Sequence, residues 1–207
     1  MVIYPVVSDE LNKSQLLGKK FVRTDTKVDY TFIEYGPASI ESVYDAEMAA
    51  PFIVRKVEEA EKNGYDAVVI SCMMDPGVKA SKEAVNIPVV GAREASYAIA
   101  SVLGDKVSTV YPEGIPVLNL EDDPEKTFRV LRENAQKVLE EGAQVLILGC
   151  TGLTGMASRL QKEIGVPVLE PEGCALKIAE ILVDLGVAQS KVAYPKPAKK
   201  KRVLPDF

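Results

Sequence analysis

The chain contains the same sequence pattern twice. Residues 64–104 begin GYDAVVISCMMDPG and residues 142–186 begin GAQVLILGCTGLTG. Each copy continues through a helix-like stretch, an I/V-P-V strand and an alanine-rich helix. A shift of 78 residues places Cys72 on Cys150. A duplicated unit of strands and helices predicts two related halves, with one cysteine at the same structural point of each half.

Short apolar strands alternate with helical periodicity along the whole chain, an order typical of mostly parallel sheets. We therefore predict an α/β fold of two pseudo-symmetric lobes, each a mostly parallel sheet flanked by helices, with an active-site cleft between them. Lobe one is assigned to residues 1–92 and 170–190, lobe two to residues 93–169, and a surface tail to residues 191–207. The predicted strands are residues 2–7, 30–35, 67–71, 87–90, 106–110, 116–120, 144–149 and 166–169. The predicted helices are residues 8–17, 39–63 with a kink or break at Pro51, 92–103, 124–141 with Asp123 as N-cap, and 173–185.

The connection between two of these predicted strands is unusually short. Only residues 111–115 separate the strand at 106–110 from the strand at 116–120. A parallel neighbour needs a crossover of about a dozen residues. Either these two strands are antiparallel, or a segment is missing between Val110 and Tyr111; we favour the second alternative.

Composition excludes several classes of partner. The net charge of −5 provides no general attraction to nucleic acid or to an anionic membrane. The sequence contains no apolar run near the roughly 20 residues of a spanning helix, and its first residues lack the pattern of a signal peptide. Three cysteines without a secretion signal indicate reduced thiols, so we expect a cytoplasmic protein. The basic run KKKR near the end is interpreted as part of a solvated tail.

The chain contains no histidine, which narrows the chemistry that it can perform. Ser-His-Asp and Cys-His hydrolysis are excluded, and three scattered cysteines make a poor zinc site. We therefore expect neither a metal nor another cofactor. A general acid or base must be Cys, Asp, Glu, Lys or Tyr.

Cys72 and Cys150 each follow a predicted buried strand and precede a helix. That position is the carboxyl edge of a parallel sheet, where α/β proteins bind ligands. Free backbone N–H groups at the helix starts suit an anion, and the same field is expected to lower the pKa of each thiol. Cys174 lies inside the last helical pattern and is expected in the core.

Two thiols on opposite faces of a small molecule can invert a carbon atom next to a carbonyl group. One thiolate removes the acidic hydrogen from one face, and the other thiol returns a proton to the opposite face. The alternative, that both cysteines are ordinary buried residues, is weakened because both occupy matching repeat positions.

At these residues the chain resembles the aspartate/glutamate/hydantoin racemase superfamily, and within it the hydantoin racemases. The resemblance rests on YGPASIESVYDAEMAAP at residues 35–51, GYDAVVISCMMDPG, IPVVGAREA at residues 87–95, and GAQVLILGCTGL. It implies two α/β lobes, racemisation without a cofactor, a small-molecule substrate and a homo-oligomer. It also implies that Cys72 and Cys150 are the catalytic acid/base pair.

The chain departs from the family pattern at two places. Only Pro5 matches the Asn-Pro-Asn motif that relatives carry after the first strand, and Met73-Met74 replaces the Asn-Thr of relatives that act on acidic amino acids. An apolar wall favours a 5-substituted hydantoin over a second carboxylate. The predicted substrate contacts are Pro5, Ser8, Met73, Met74, Thr151 and Gly152.

Several alternatives stay open at this point. Ser8 and Thr151 can also serve as helix caps, and Asp75 is interpreted as an N-cap rather than a substrate ligand. The enzyme alternatives are an aspartate/glutamate-type racemase and a decarboxylase or isomerase that uses one thiol. The alternative outside enzymes is an anion-binding sensor of oxidants.

Overall fold

The computed structural model describes residues 1–8 and 17–201 of the chain. Its strands are β1 (Val2–Tyr4), β2 (Tyr30–Phe32), β3 (Val68–Ile70), β4 (Val89–Gly91), β5 (Val107–Val110), β6 (Val145–Leu148) and β7 (Val168–Leu169). Its α-helices are α1 (Val43–Lys62), α2 (Val78–Ala84), α3 (Ala92–Ala100), α4 (Pro124–Glu140), α5 (Ala157–Ile164) and α6 (Pro171–Asp184). Short 3-10 helices occur at Leu17–Phe21, Val117–Asn119 and Thr151–Leu153. No helix in this part of the chain is long and apolar enough to cross a membrane.

The strands form two parallel sheets, which confirms the predicted α/β class. The first sheet has the order β2-β1-β3-β4 and the second has the order β5-β6-β7. The 78-residue shift places β3 on β6 and brings β4 close to β7. These strands are buried on both faces, because helices cover both sides of a parallel sheet.

Helices α3 and α6 pack against each other and join the two sheets. Helix α6 contacts β3 and β4, while α3 contacts β4 and β6. Ala100 at the end of α3 is fully buried with Val145 and Ile147 of β6, and Met73 packs against this cluster. This helix pair therefore fixes the relative position of the two strand ends that precede the cysteines. The proposed lobe boundaries, at residues 92/93 and 169/170, stay a prediction.

Helix boundaries follow from capping. Ser42 accepts a hydrogen bond from the backbone N–H of Asp45 at the start of α1. Asp123 caps α4 as predicted, with Pro124 in the first turn. Of the kink or break expected at Pro51, the break is wrong, because α1 continues through this residue. The kink stays a prediction. Pro51 lies on the exposed side of the helix, where its ring meets solvent rather than the core. The predicted helix at residues 8–17 falls mostly on residues 9–16, outside the described part of the chain.

The strand predicted at residues 116–120 is also wrong. This stretch forms the 3-10 helix Val117–Asn119, following a turn in which the Tyr111 hydroxyl donates to the carbonyl of Ile115. Two prolines and a glycine between residues 112 and 116 interrupt extended backbone. With no strand at residues 116–120, α4 is the crossover from β5 to β6 and the short spacing is explained. The missing segment that we favoured between Val110 and Tyr111 stays a prediction.

Candidate active site

The two strand ends bring Cys72 and Cys150 to one cleft. Each cysteine follows its strand by two residues, after Ile70 of β3 and Leu148 of β6. Both are free thiols and partly buried. Both line a cavity of about 350 Å³ and a neighbouring one of about 280 Å³. The repeated sequence pattern therefore corresponds to two thiols that face the same cleft.

Each sulfur atom accepts one backbone N–H from its own loop. The N–H of Met74 points at Cys72 Sγ over 3.5 Å, and the N–H of Gly152 points at Cys150 Sγ over 3.3 Å. These contacts favour the thiolate, as the sequence suggested. Burial nevertheless raises the pKa of Cys72 to about 12 and that of Cys150 to about 11. The expectation of lowered thiol pKa values is wrong, because the loss of solvation outweighs one weak donor.

The thiols also influence each other through the cleft. Negative charge on Cys150 raises the pKa of Cys72, and the carboxylate of Glu41 raises the pKa of Cys150. Both effects act in the same direction as burial. When the pair ionises, one thiolate beside one thiol is therefore favoured over two thiolates.

All six predicted substrate contacts lie beside the cysteines. Pro5, Ser8, Thr151 and Gly152 line the larger cavity. Met73 and Met74 line the smaller cavity, together with Thr151. Their role in binding stays a prediction.

Thr151 connects the two lobes. Its hydroxyl donates to the backbone carbonyl of Ser71 over 3.2 Å. Ser71 directly precedes Cys72, and Thr151 directly follows Cys150. The cap of the short 3-10 helix is Cys150 itself, so a capping role for Thr151 is not observed.

Asp75 is a cap, as interpreted from the sequence, but for a different helix. Its carboxylate accepts the backbone N–H groups of Arg93 and Glu94 in the first turn of α3, both over 2.9 Å. Its backbone is left-handed with φ of 48°. Through these hydrogen bonds, Asp75 holds the turn that begins at Cys72 against α3.

Sequence reasoning missed a buried carboxyl group next to the site. Glu172 in the first turn of α6 is 1% exposed, and it accepts hydrogen bonds from Tyr4 and Ser71. Tyr4 and Ser71 both line the larger cavity. Little in the sequence singled out Glu172, because α6 also carries Lys177, Glu180 and Asp184.

The cleft walls are mainly apolar and carry negative rather than positive charge. The charged residues among the described cavity walls are Glu121 and Glu41. Neither cavity has a lysine or arginine among its described lining residues. No group of three or more potential metal ligands occurs within residues 1–8 and 17–201. The aliphatic and phenyl side chains on the larger cavity are Pro5, Val6, Val7, Phe32, Ala38, Ile40, Val117, Leu118 and Leu120.

Comparison with known proteins shows which family the chain is similar to. The sequence profile described as Asp/Glu/hydantoin racemase matches residues 14–110 and 103–179. A hydantoin racemase of Pseudomonas sp. (strain NS671) is 36% identical over 214 residues, which covers 90% of this chain and 86% of that protein. A hydantoin racemase of Paenarthrobacter aurescens is 32% identical and covers 97% of this chain and 98% of that protein. The solved allantoin racemase from Klebsiella pneumoniae superimposes with a TM-score of 0.87 at 29% identity, covering 96% of this chain and 93% of that one.

Proposed function

The chain belongs to the Asp/Glu/hydantoin racemase family, and from this premise we propose that it is a cofactor-independent racemase with Cys72 and Cys150 as its acid/base pair. The observation that carries the proposal is the position of both thiols on one cavity after equivalent strands.

The proposed reaction removes one proton from the substrate carbon and returns another proton to its opposite face. The thiolate of one cysteine removes hydrogen from the carbon next to a carbonyl, and the electron pair delocalises onto the carbonyl oxygen. The thiol of the other cysteine then donates its proton to the opposite face of that carbon. The first cysteine ends as a thiol and the second as a thiolate, so the roles exchange for the other enantiomer.

The cavity walls support a neutral, cyclic substrate with an apolar substituent. A free aspartate or glutamate brings a second carboxylate, which needs a cation or several N–H donors. The described walls offer Glu121 and Glu41 instead, and two N–H groups that already point at the sulfurs. We therefore propose a 5-substituted hydantoin with an alkyl or aryl group, in keeping with the hydantoin racemases among the relatives.

A chiral assay in deuterated water tests this substrate class. We expect single enantiomers of 5-alkyl and 5-aryl hydantoins to racemise and to gain deuterium at the inverted carbon. Aspartate and glutamate are expected to react at least about a hundredfold more slowly, because the walls lack a cation. Release of carbon dioxide from a malonate-type substrate, with no inversion of any hydantoin, would identify the one-thiol decarboxylase instead.

The raised thiol pKa values predict a steep pH dependence. Below a pKa of about 11, the thiolate fraction of Cys150 increases about tenfold per pH unit, and the same holds for Cys72 below about 12. We therefore expect kcat/KM, which reports ionisations of the free enzyme, to rise continuously from about pH 6 to about pH 9. The measurement uses a hydantoin and corrects for the ionisation of that substrate. A plateau of kcat/KM that begins below about pH 7 contradicts the raised pKa values of the thiols.

We further propose that the enzyme acts as a cytoplasmic homo-oligomer. This proposal rests on the sequence and on the family resemblance. Size-exclusion chromatography with light scattering measures the oligomeric state directly.

A further inference from the structure

The carboxyl group of Glu172 is placed among hydroxyl groups rather than cations. One oxygen, Oε2, accepts from the Tyr4 hydroxyl over 2.8 Å and from the Ser71 hydroxyl over 2.7 Å. The other oxygen, Oε1, is buried without a hydrogen-bond partner among the described residues. A buried carboxylate with no neighbouring cation is costly, so its presence calls for a functional explanation.

The described groups around Glu172 come from four parts of the fold, and none of them is a cation. Tyr4 belongs to β1 and Tyr30 to β2, and their rings stack at 6.0 Å between centroids. Ser71 follows β3, and Glu170, just before α6, adds a second negative charge. Lys20 is paired with Glu170 rather than with Glu172. Burial, opposed in part by the two hydroxyl donors, raises the pKa of Glu172 to about 7.

Ser71 connects this carboxyl group to both thiols. Its side chain donates to Glu172, and its N–H donates to the carbonyl of Ile3 in β1. Its carbonyl accepts the Thr151 hydroxyl from the other lobe. The next residue is Cys72. A change in how Glu172 holds Ser71 is therefore passed to the segment that sets the position of Cys72 relative to Cys150.

We propose that Glu172 is a positioning residue whose ionised form holds Tyr4 and Ser71, and through Ser71 the Cys72 segment, in the geometry for proton transfer. This inference rests on the proposed racemase function. Hydrogen bonds to a charged acceptor are roughly twice as strong as those to a neutral one. Loss of the proton from Glu172 therefore tightens both contacts, and the tightening occurs as the pH rises through about 7.

The variant Glu172→Gln tests the proposal, because glutamine accepts the same two hydrogen bonds at every pH but never ionises. We expect the ratio of wild-type to variant kcat to rise from near one at about pH 6 to about tenfold at about pH 8, with KM little changed. The titration of the thiols is expected to cancel in the ratio, because Glu172 is not among the charged groups that raise their pKa values. Glu58→Gln, which removes one exposed carboxylate of α1, is the charge-matched control and is expected to give a flat ratio. A flat ratio for Glu172→Gln overturns the proposal.

Ser71→Ala separates positioning from a through-space effect of charge. It keeps the charge of Glu172 and removes one of the two hydroxyl contacts. We expect it to lower kcat several-fold at about pH 8. The ratio of wild-type to Glu172→Gln kcat, measured with Ser71→Ala present in both proteins, is expected to change less with pH. Wild-type values of kcat in this variant contradict a positioning role. The same variant provides the test if Glu172→Gln does not fold, which a thermal melt establishes.

A second measurement does not depend on racemase activity. The rate at which iodoacetamide alkylates Cys72 is measured by peptide mass spectrometry. Above about pH 7 we expect this rate to be lower in the wild type than in Glu172→Gln, because the ionised Glu172 holds the Cys72 segment more firmly. If no hydantoin is racemised, the proposed function fails while this measurement still decides the role of Glu172. Equal alkylation rates at every pH overturn that role.

Discussion

Replacing either Cys72 or Cys150 by serine is expected to reduce racemisation by roughly 10³-fold or more. A serine hydroxyl has nearly the same shape as a thiol but ionises far less readily, so it supplies neither an effective base nor a matched acid. The remaining thiol still faces one side of the substrate. We therefore expect each variant to exchange the hydrogen of one enantiomer for deuterium without inverting it, with opposite enantiomers for the two variants.

Cys174→Ser is the matched control for this pair. Cys174 is 6% exposed within α6 and belongs to the apolar cluster that the first sheet forms with helices α3 and α6. We expect the control to keep racemase turnover within about twofold and to lose some thermal stability, since it places a hydroxyl in an apolar cluster. Near-normal racemisation by either Cys72→Ser or Cys150→Ser would show that the two-thiol mechanism is incorrect.

Gly91→Ala is expected to destabilise the fold by about 3 kcal/mol and to lower activity as well. The backbone of Gly91 has φ of −85°, which any residue can adopt. The obstacle is space, because an added Cβ lies 2.3 Å from Asp75 Oδ1. Asp75 must then leave its two hydrogen bonds at the start of α3, and the turn that begins at Cys72 moves with it. A decrease in Tm of roughly 6–12 °C follows for a chain of this size.

The double variant Gly91→Ala with Asp75→Gly identifies the cause. Asp75→Gly removes the carboxylate that the new methyl group meets, and glycine is suited to the left-handed backbone at this position. We expect the double variant to be about as stable as Asp75→Gly alone, which is a strongly non-additive result. A further loss of about 3 kcal/mol in the double variant contradicts the assignment of Asp75 as the obstacle.

The duplicated pattern was sufficient to predict the α/β class and the shared position of the two cysteines. Both depend on local signals that recur in each half: an apolar run, a cysteine and a glycine-containing turn. The cap at Asp123 was predicted equally well, because capping depends on neighbouring residues alone.

The errors came from interactions between distant residues. Residues 116–120 have the apolar composition of a strand, but Leu120 is buried in a 3-10 turn, where its carbonyl accepts the hydroxyl of Thr127 in α4. The thiol pKa values were misjudged because the helix-start N–H groups are visible in sequence, whereas the burial of the cleft is not. Glu172 was missed because its partners, Tyr4 and Ser71, are 168 and 101 residues away in the chain.

The two walls of the cleft differ in width although they share one sequence pattern. The wall that carries Cys72 is built on four strands, and the wall that carries Cys150 is built on three, with β5 bonded on one side only in the described part of the chain. A narrower sheet resists bending less than a wider one. We therefore expect opening motions of the cleft to be larger on the Cys150 side, so that amides of β5 exchange hydrogen faster than those of β3.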